Sequence, residues 1–210
     1  MARQLPVHLS HKSALALLPP SSITTPIDAV RRVHDKHFTR WPPHINLLYP
    51  FLVSPSEPTK EGDASSFQVK EDIRTRIQKA IKSVEPFHVS LTADPPGTFS
   101  HRKRSKTVWL GPSTQRIQQL RAVLQAEFSE CKSDQRPFTP HLSVGQAHSD
   151  GGAEELGKEI KSSIAGFLGD QNEGAPVALD WFIDKIYVIE RKGYHDRFKV
   201  VGSMALGKEP

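Results

Sequence analysis

Two short segments of this chain repeat one pattern, and they constrain its fold more than any other feature. Pro43–Leu47 and Pro140–Val144 each read proline, histidine, apolar, polar, apolar. Side chains alternate between the two faces of a β-strand, so the histidine and the polar residue share one face. A leading proline removes a ladder donor only at the strand end. The pattern predicts two strands with an apolar side and a histidine side. The histidine sides carry His44 and Asn46 in the first copy, and His141 and Ser143 in the second.

Composition and charge narrow the class of protein. The 210 residues are 37% hydrophobic and 24% charged, which is typical of a globular protein and enough for one domain or two joined lobes. The net charge of +5 favours a phosphate-bearing partner. Cys131 is the single cysteine, which excludes an intramolecular disulfide. No apolar run has the length of a membrane span, and Ala14–Leu18 is too short for a signal-peptide core. We expect a cytosolic or nuclear monomer without membrane association.

Helical and strand patterns alternate along the chain, and neighbouring strands read as antiparallel, which predicts an α+β fold. The two Pro-His strands each follow a helix. Residues 1–210 are therefore expected to form a single domain of two pseudo-symmetric lobes. Residues 54–66 are rich in Ser, Pro, Glu and Gly, and we predict an exposed loop insertion there.

Three local signals predict where elements begin or end. Thr25 followed by Pro26 is typical of an N-cap and first helical position, and Val33 would lie on the buried face of that helix. A strand over 87–93 is expected to break at Pro95-Pro96-Gly97. Residues 177–190 are predicted to form one strand.

Two histidines that face one cleft suit phosphodiester chemistry. Imidazole titrates near neutral pH, and cleavage needs a base for the attacking oxygen and an acid for the leaving oxygen. Asn46 and Ser143 could donate hydrogen bonds to the non-bridging oxygens, where charge builds up. This chemistry requires no metal or other cofactor, and we expect none.

A single copy of the pattern is more often only an amphipathic strand. His88-Val89-Ser90 has the same form but lacks the leading proline, so His88 is a reserve candidate. An arginine precedes each motif, Arg40 in the first copy and Arg136 in the second. The basic loop 102–106 is either a solvated surface or a phosphate contact. Four residues near the motifs could contact substrate, although the aromatic ones are typical of a core. They are Tyr49, Phe51, Arg136 and Phe138.

At these motifs the chain resembles the 2H phosphoesterase superfamily, which includes 2′-5′ RNA ligase-like proteins and the phosphoesterase domain of A-kinase anchoring proteins. That family is defined by two His-apolar-Thr/Ser-apolar motifs. The matching segments here are 43–51 and 138–145, and the similarity also extends to 97–99, 108–111 and the last two strands. Asn46 departs from the family pattern, which usually has Thr or Ser there.

The resemblance implies a bilobal fold in which two antiparallel sheets flank a central cleft, with helices on the outside. It implies His44 and His141 as acid and base, with Ser143 and Asn46 as phosphate-binding residues. The implied activity is metal-independent hydrolysis of 2′,3′-cyclic phosphates, on RNA ends or small nucleotides, to 2′-phosphates. Three alternatives stay open: activity on 2′,5′ linkages or as a 2′-5′ RNA ligase, non-catalytic binding of RNA ends, and a plain interaction domain.

Overall fold

The structure is a computed structural model that describes residues 5–59, 67–101, 105–131, 137–169 and 176–207. In these ranges four α-helices alternate with twelve β-strands. The helices are α1 (Ser21–His34), α2 (Glu71–Ile81), α3 (Arg116–Glu127) and α4 (Asp150–Leu168). The strands are β1 (Leu9–Ser10), β2 (Ser13–Leu17), β3 (Ile45–Leu48), β4 (Phe51–Leu52), β5 (Ser56–Pro58), β6 (Phe67–Val69), β7 (Phe87–Ser100), β8 (Lys106–Pro112), β9 (Leu142–Ala147), β10 (Ala178–Ile183), β11 (Lys185–Glu190) and β12 (Lys199–Ala205).

Two four-stranded antiparallel sheets make up the frame. The first sheet has the order β12-β11-β2-β3, and the second has the order β10-β7-β8-β9. The two Pro-His motifs lead into β3 and β9, so each motif strand is the edge strand of its sheet. Each edge strand pairs with the strand that precedes its helix, β2 or β8. The predicted α+β fold with two antiparallel sheets is confirmed.

Helices α1 and α3 each pack on the sheet that does not contain the motif strand following them in the chain. Helix α1 precedes the motif strand of the first sheet, but it packs on α4 and on β9 of the second sheet. Helix α3 precedes the motif strand of the second sheet, but it packs on α2 and on β3 of the first. No helix in the described part of the chain has the length and apolar character that a bilayer crossing requires.

The motif strands alternate as their pattern predicts. Ile45 and Leu47 are buried in the main core on one side of β3, while Asn46 between them is only half-buried. Leu142 and Val144 are buried in the same core from β9, and Ser143 is half-buried. One apolar face of each strand thus anchors it, because burying such a side chain stabilises the fold by roughly 1.5–3 kcal/mol. The polar face is left for the space between the sheets.

Helix α1 differs from its prediction. It begins at Ser21, after the extended Pro20, and Pro26 lies inside it. A proline at this depth removes one backbone hydrogen bond, and the burial of its neighbours Ile27 and Val30 offsets that loss. Val33, expected on the buried face, is 73% exposed. Its place is taken by Arg31, which lies four residues after Ile27 and is buried.

Three further boundaries are corrected. Strand β7 runs through Pro95-Pro96-Gly97, and a register shift between Thr92 and Gly97 in its pairing with β8 accommodates the prolines. Residues 177–190 form two strands, because β10 pairs with β7 in the second sheet whereas β11 pairs with β2 in the first. Within the predicted loop insertion 54–66, Ser56–Pro58 form β5, which pairs with β6. Residues 60–66 lie outside the described residues.

Candidate active site

The two motif histidines are oriented by the same local device. Nδ1 of His44 donates a hydrogen bond to the carbonyl of Pro42 at 2.8 Å. Nδ1 of His141 donates to the carbonyl of Thr139, also at 2.8 Å. In both cases the acceptor lies two residues before the histidine, just ahead of the strand. A carbonyl can only accept, so each ring carries its proton on Nδ1 when neutral. Nε2 is therefore the atom of each ring that is available for proton transfer.

A cleft of about 600 Å³ opens between the two sheets at the polar face of the motif strands. Its wall includes His44 and Asn46 from the first motif, and Ser143 from the second. The other lining residues are Arg31, Asp35, Lys36, His37, Trp41, His101, Ser105, Thr107 and Gln146. His141 is not among the lining residues. Its charge nevertheless lowers the pKa of His44, so the two imidazoles are within electrostatic reach of each other.

Asn46 makes a direct contact with the first histidine. Its Nδ2 lies 3.1 Å from Nε2 of His44, and its Oδ1 is buried without a hydrogen-bond partner in the described residues. An amide nitrogen donates, so this contact matches a neutral His44 whose Nε2 accepts. In the corresponding place of the second motif, Ser143 lies opposite Trp109 of β8. The two halves of the site therefore differ in how the imidazole is held.

Aromatic rings pack against both histidines. Trp41 stacks on His44 with ring centroids 4.5 Å apart and an angle of 14° between the rings. Phe99 contacts His141 edge-on at 4.8 Å, and Trp109 lies 6.0 Å from the same ring. Trp109 in turn covers Gly97, where an added Cβ would overlap the indole. These contacts restrict the orientation of both imidazoles.

Burial dominates the electrostatics of the pair. It lowers the pKa of His44 from 6.5 to about 4, with a further lowering from the charge of Arg31. The hydrogen bond to Pro42 and the charge of Asp35 act in the opposite direction. Burial also lowers the pKa of His141, against the effect of its bond to Thr139. Both imidazoles are therefore predominantly neutral at neutral pH.

A buried ion pair supports the floor of the cleft. Arg31 donates from Nε and Nη2 to Oδ2 of Asp35 at 3.1 and 2.8 Å, and from Nη2 to the carbonyl of Trp41 at 2.9 Å. Oδ1 of Asp35 accepts from the backbone N–H of His37 and from Nε2 of Gln146 on β9. The pair thus joins α1, the segment that carries Trp41, and the second motif strand.

The residues expected near the motifs separate into different environments. Tyr49 is 37% exposed and meets the edge of Trp41 with ring centroids 5.2 Å apart. Phe51 is fully buried against Phe128, so the expectation that it could contact substrate is wrong. Phe138 packs against the main core under the guanidinium of Arg121 and does not line the cleft.

Arg40 and His88, the remaining candidates that the structure describes, do not line the cleft. Arg136 lies outside the described residues, as do residues 102–104 of the basic loop. Arg40 is bonded to Nδ1 of His37, which does line the cleft. His88, the reserve candidate, is exposed on β7 beside Phe182. Among the described residues, no group of three or more His, Cys, Asp or Glu side chains is placed to hold a metal ion.

Several lining residues were not predicted from the sequence, and Trp41 and His101 are two of them. Trp41 comes directly before the first motif, and its position between Arg40 and two prolines was the only signal for it. His101 follows β7 and contacts Oγ1 of Thr107 at 2.9 Å through its Nε2. Neither residue belongs to a periodic pattern, so only the packing of the two sheets brings them to the cleft.

Comparison with known structures shows the class of fold. E. coli LigT, in a crystal structure with 3′-AMP, superposes with a TM-score of 0.54 and 14% identity, over 94% of this chain and 99% of LigT. The protein TT0787 of Thermus thermophilus also gives a TM-score of 0.54, with 16% identity, over 95% of this chain and 100% of that one. The chain thus has the fold of LigT-like proteins.

The family follows from the sequence comparisons. Residues 19–195 match the model of the 2′-5′ RNA ligase superfamily, and the chain belongs to this family. The resemblance to the 2H phosphoesterases is therefore confirmed. A protein of Staphylococcus aureus (strain Newman) is 26% identical over 193 residues, covering 91% of this chain and 97% of its own. One of Oceanobacillus iheyensis is 25% identical over 201 residues, covering 94% and 99%. Both carry the name "putative phosphoesterase".

Proposed function

We propose that this chain is a phosphodiesterase in which His44 and His141 act as general base and general acid on an RNA-type phosphodiester. The observation that carries the proposal is the matched pair of hydrogen bonds from Nδ1 to a carbonyl two residues earlier, at 2.8 Å in both motifs. Such a bond fixes the tautomer and the ring orientation, which are the requirements for a proton-transfer catalyst. The substrate class that fits is a 2′,3′-cyclic phosphate on an RNA end or a small nucleotide.

The reaction is a single in-line displacement at phosphorus. Neutral His44 takes a proton from water through Nε2 while the water oxygen forms a bond to phosphorus. The bond between phosphorus and the 3′ oxygen breaks, and imidazolium at His141 gives its proton to that oxygen. The product is a 2′-phosphate. An incoming phosphate raises the pKa of a nearby imidazole, so the substrate itself favours the protonated form of His141.

Asn46 supports this assignment of base and acid. Its Nδ2 donates toward Nε2 of His44, an arrangement that favours the neutral ring. When water takes the place of the amide at Nε2, the amide becomes available to a non-bridging phosphate oxygen. Ser143 and Lys36 line the same cleft and supply a hydroxyl and a positive charge for that group. E. coli LigT, which shares the fold, has been crystallised with 3′-AMP.

Turnover of 2′,3′-cyclic nucleotides in the presence of EDTA tests the proposal. His44→Ala and His141→Ala should each lower kcat/KM by roughly 10²–10⁴-fold, the range typical of a lost proton-transfer group. His88→Ala is the matched control, since His88 has the same local sequence but is exposed outside the cleft. It should retain wild-type activity. Binding without turnover by the wild type would instead favour a non-catalytic RNA-end binder.

The roles of the two histidines are tested at Asn46. A carboxylate at this position accepts but does not donate, so Asn46→Asp favours the protonated form of His44. The acidic limb of the kcat/KM profile against pH should then move to higher pH, so activity below about pH 6 should fall more than activity at pH 7. Asn46→Ser keeps a donor and should shift the limb much less. An unchanged acidic limb in Asn46→Asp would contradict the assignment of His44 as base.

A further inference from the structure

A continuous stack of side chains leads from the candidate active site to the protein surface. Trp41 stacks on His44, and Phe198 stacks on Trp41 with ring centroids 3.8 Å apart. The guanidinium of Arg191 lies 4.8 Å from the ring centre of Phe198 and 4.9 Å from that of Tyr194. Tyr194 is 62% exposed. The cleft is therefore joined to an outer surface by alternating aromatic and cationic groups.

Small residues on the first sheet make room for this stack. Ala14 and Ala16 are fully buried, and they form a separate apolar cluster with Ile189 and Phe198. Trp41 packs against that cluster. Larger side chains at the two alanines would occupy the space that Trp41 and Phe198 fill. The sequence thus maintains an aromatic layer on the face of the first sheet that does not face the main core.

Arg191 is a buried cation without a carboxylate partner among the described residues. It is 5% exposed, and its guanidinium donates to the carbonyls of Tyr194 and His11. Its Nε is buried and has no hydrogen-bond partner in the described part of the chain. The carbonyl of His11 also lies 3.5 Å from the hydroxyl of Tyr49, so Arg191 and Tyr49 converge on one point. Because these acceptors are neutral carbonyls, no anion among the described residues lies beside this guanidinium to offset its charge.

A groove of about 530 Å³ continues from Arg191 along the turn between β11 and β12. Three more cations line it: Lys192, Arg197 and Lys199. The groove also contains two carboxylates that already accept hydrogen bonds from neutral donors. Glu190 accepts from Oγ of Ser56, and Asp196 accepts from the backbone N–H of Gly193. The cations outnumber the carboxylates in this groove, which favours an anionic ligand with several charges.

We propose that these residues bind the RNA strand that leads away from the scissile phosphate. The proposed surface, the aromatic–basic strip, consists of Tyr49, Tyr194, Lys192, Arg197 and Lys199, with Arg191 buried beneath Tyr194. Bases would stack on the two tyrosine rings, and backbone phosphates would lie against the three exposed cations. Exposed aromatic rings interleaved with cations are the elements that bind single-stranded nucleic acid without sequence preference. An acidic peptide would not need the exposed rings, and a membrane would not need the groove.

This inference rests on the proposed function and names its substrate more closely. A strand that ends in a cyclic phosphate extends from that group in the 5′ direction only. The strip begins at Tyr49, whose ring meets the edge of Trp41, and Trp41 in turn stacks on His44, so the strip is placed to receive the nucleotides that precede the cyclic end. Single-stranded RNA oligonucleotides, rather than cyclic mononucleotides, are thus the preferred substrates.

Binding is measured first, without catalysis. A fluorescein-labelled octamer of single-stranded RNA with a 3′-phosphate is titrated into the His44→Ala/His141→Ala protein and followed by fluorescence anisotropy. Adding Lys192→Glu and Lys199→Glu should weaken binding at least about tenfold at low salt. It should also reduce the slope of log Kd against log salt by about 1.4, since each phosphate contact to a single strand contributes about 0.7. Tyr194→Ala should weaken binding about fivefold or more, the loss expected for one stacked base.

The matched control is a charge reversal elsewhere on the surface. Lys158 and Lys185 are exposed, and each lies beside a carboxylate outside the strip. Lys158 is on α4, and Lys185 is at the end of β11 opposite to the strip. Lys158→Glu/Lys185→Glu changes the net charge by the same amount and should leave RNA binding within about twofold.

Equal losses in both charge-reversal variants would overturn the strip, because the effect would then be one of net charge. Urea unfolding midpoints close to that of the parent protein confirm that every variant is folded.

Turnover separates failure of the strip from failure of the proposed function. Both histidines are retained in this experiment, and kcat/KM is measured for an octamer with a cyclic end and for a cyclic mononucleotide. Lys192→Glu/Lys199→Glu should lower the first value relative to the second at least about tenfold. An unchanged ratio in an active enzyme overturns the strip alone. If the parent protein turns over neither substrate, and Lys192→Glu/Lys199→Glu weakens its binding of RNA, the proposed function is overturned and the strip is supported. Preferential binding of poly-glutamate or anionic vesicles over RNA would also overturn the strip as an RNA-binding surface.

Discussion

Replacing Asp35 by alanine is expected to destabilise the protein by about 3–5 kcal/mol, the loss measured when one partner of a buried ion pair is removed. Asp35 accepts two hydrogen bonds from Arg31, one from the backbone N–H of His37 at 2.9 Å and one from Gln146 at 3.2 Å. The side chain of Arg31 is 2% exposed and that of Asp35 is 4% exposed. Without the carboxylate, the buried guanidinium keeps only the carbonyl of Trp41 and a long contact to Asp28 at 3.7 Å.

Urea denaturation of Asp35→Ala measures this loss. Arg31→Met/Asp35→Leu replaces both charges by apolar groups and should recover most of the stability, because the buried pair itself adds little over a hydrophobic replacement. Glu154→Ala is the surface control, since Glu154 and Lys158 are 70% and 72% exposed. It should cost no more than about 0.5 kcal/mol. A loss below about 1 kcal/mol in Asp35→Ala would refute the reasoning, as would a double variant less stable than the single one.

Three further predictions concern single residues. Gly97→Ala should destabilise the protein by about 1–3 kcal/mol and lower activity, since the added Cβ would overlap the indole of Trp109. In the control Gly151→Ala the added Cβ would have nothing within 4 Å, so this variant should be neutral or slightly stabilising in urea melts. Burial lowers the pKa of His44 from 6.5 to about 4, so the folded state binds fewer protons than the unfolded state. The contribution of this group to stability is then complete above about pH 6.5 and falls by about 2 kcal/mol by about pH 5, a change that His44→Gln should abolish. Burial raises the pKa of the Cys131 thiol to about 12, so a thiol reagent at mildly alkaline pH should modify this cysteine only in urea; rapid reaction of the native protein would contradict this.

The spacing of apolar residues predicts which faces of the helices and strands are buried. Ile73, Ile77 and Ile81 of α2 are buried as their spacing predicts, and the motif strands turn their apolar sides to the core. The same reasoning fails for Arg31, because a pattern of apolar residues cannot reveal a charged side chain on the buried face. For Phe51, which is more typical of a core residue but could have contacted substrate, the full burial of the ring supports the core interpretation.

The site depends on long-range packing that a linear reading does not contain. The motifs predict that His44 and Asn46 share a face, and both side chains line the cleft. They do not predict that Trp41 lies flat on His44, because Trp41 belongs to an irregular segment. Nor do they predict that Asp35 reaches Gln146, since that contact joins the end of α1 to a strand of the other sheet. The predicted roles of the catalytic pair stay predictions until the histidine variants are assayed.

The packing of α1 on the second sheet and of α3 on the first makes the two halves of the molecule depend on each other. Helix α1 packs on β9 and α3 packs on β3, so each of these helices contacts the motif strand that the other half of the chain supplies. A fragment cut between the motifs would separate α1 from β9 and α3 from β3, and it would also separate β2 from its partner β11 in the first sheet. The relative position of the strands that carry His44 and His141 therefore depends on contacts between the two halves, and we expect neither half to form its motif geometry as a separate fragment.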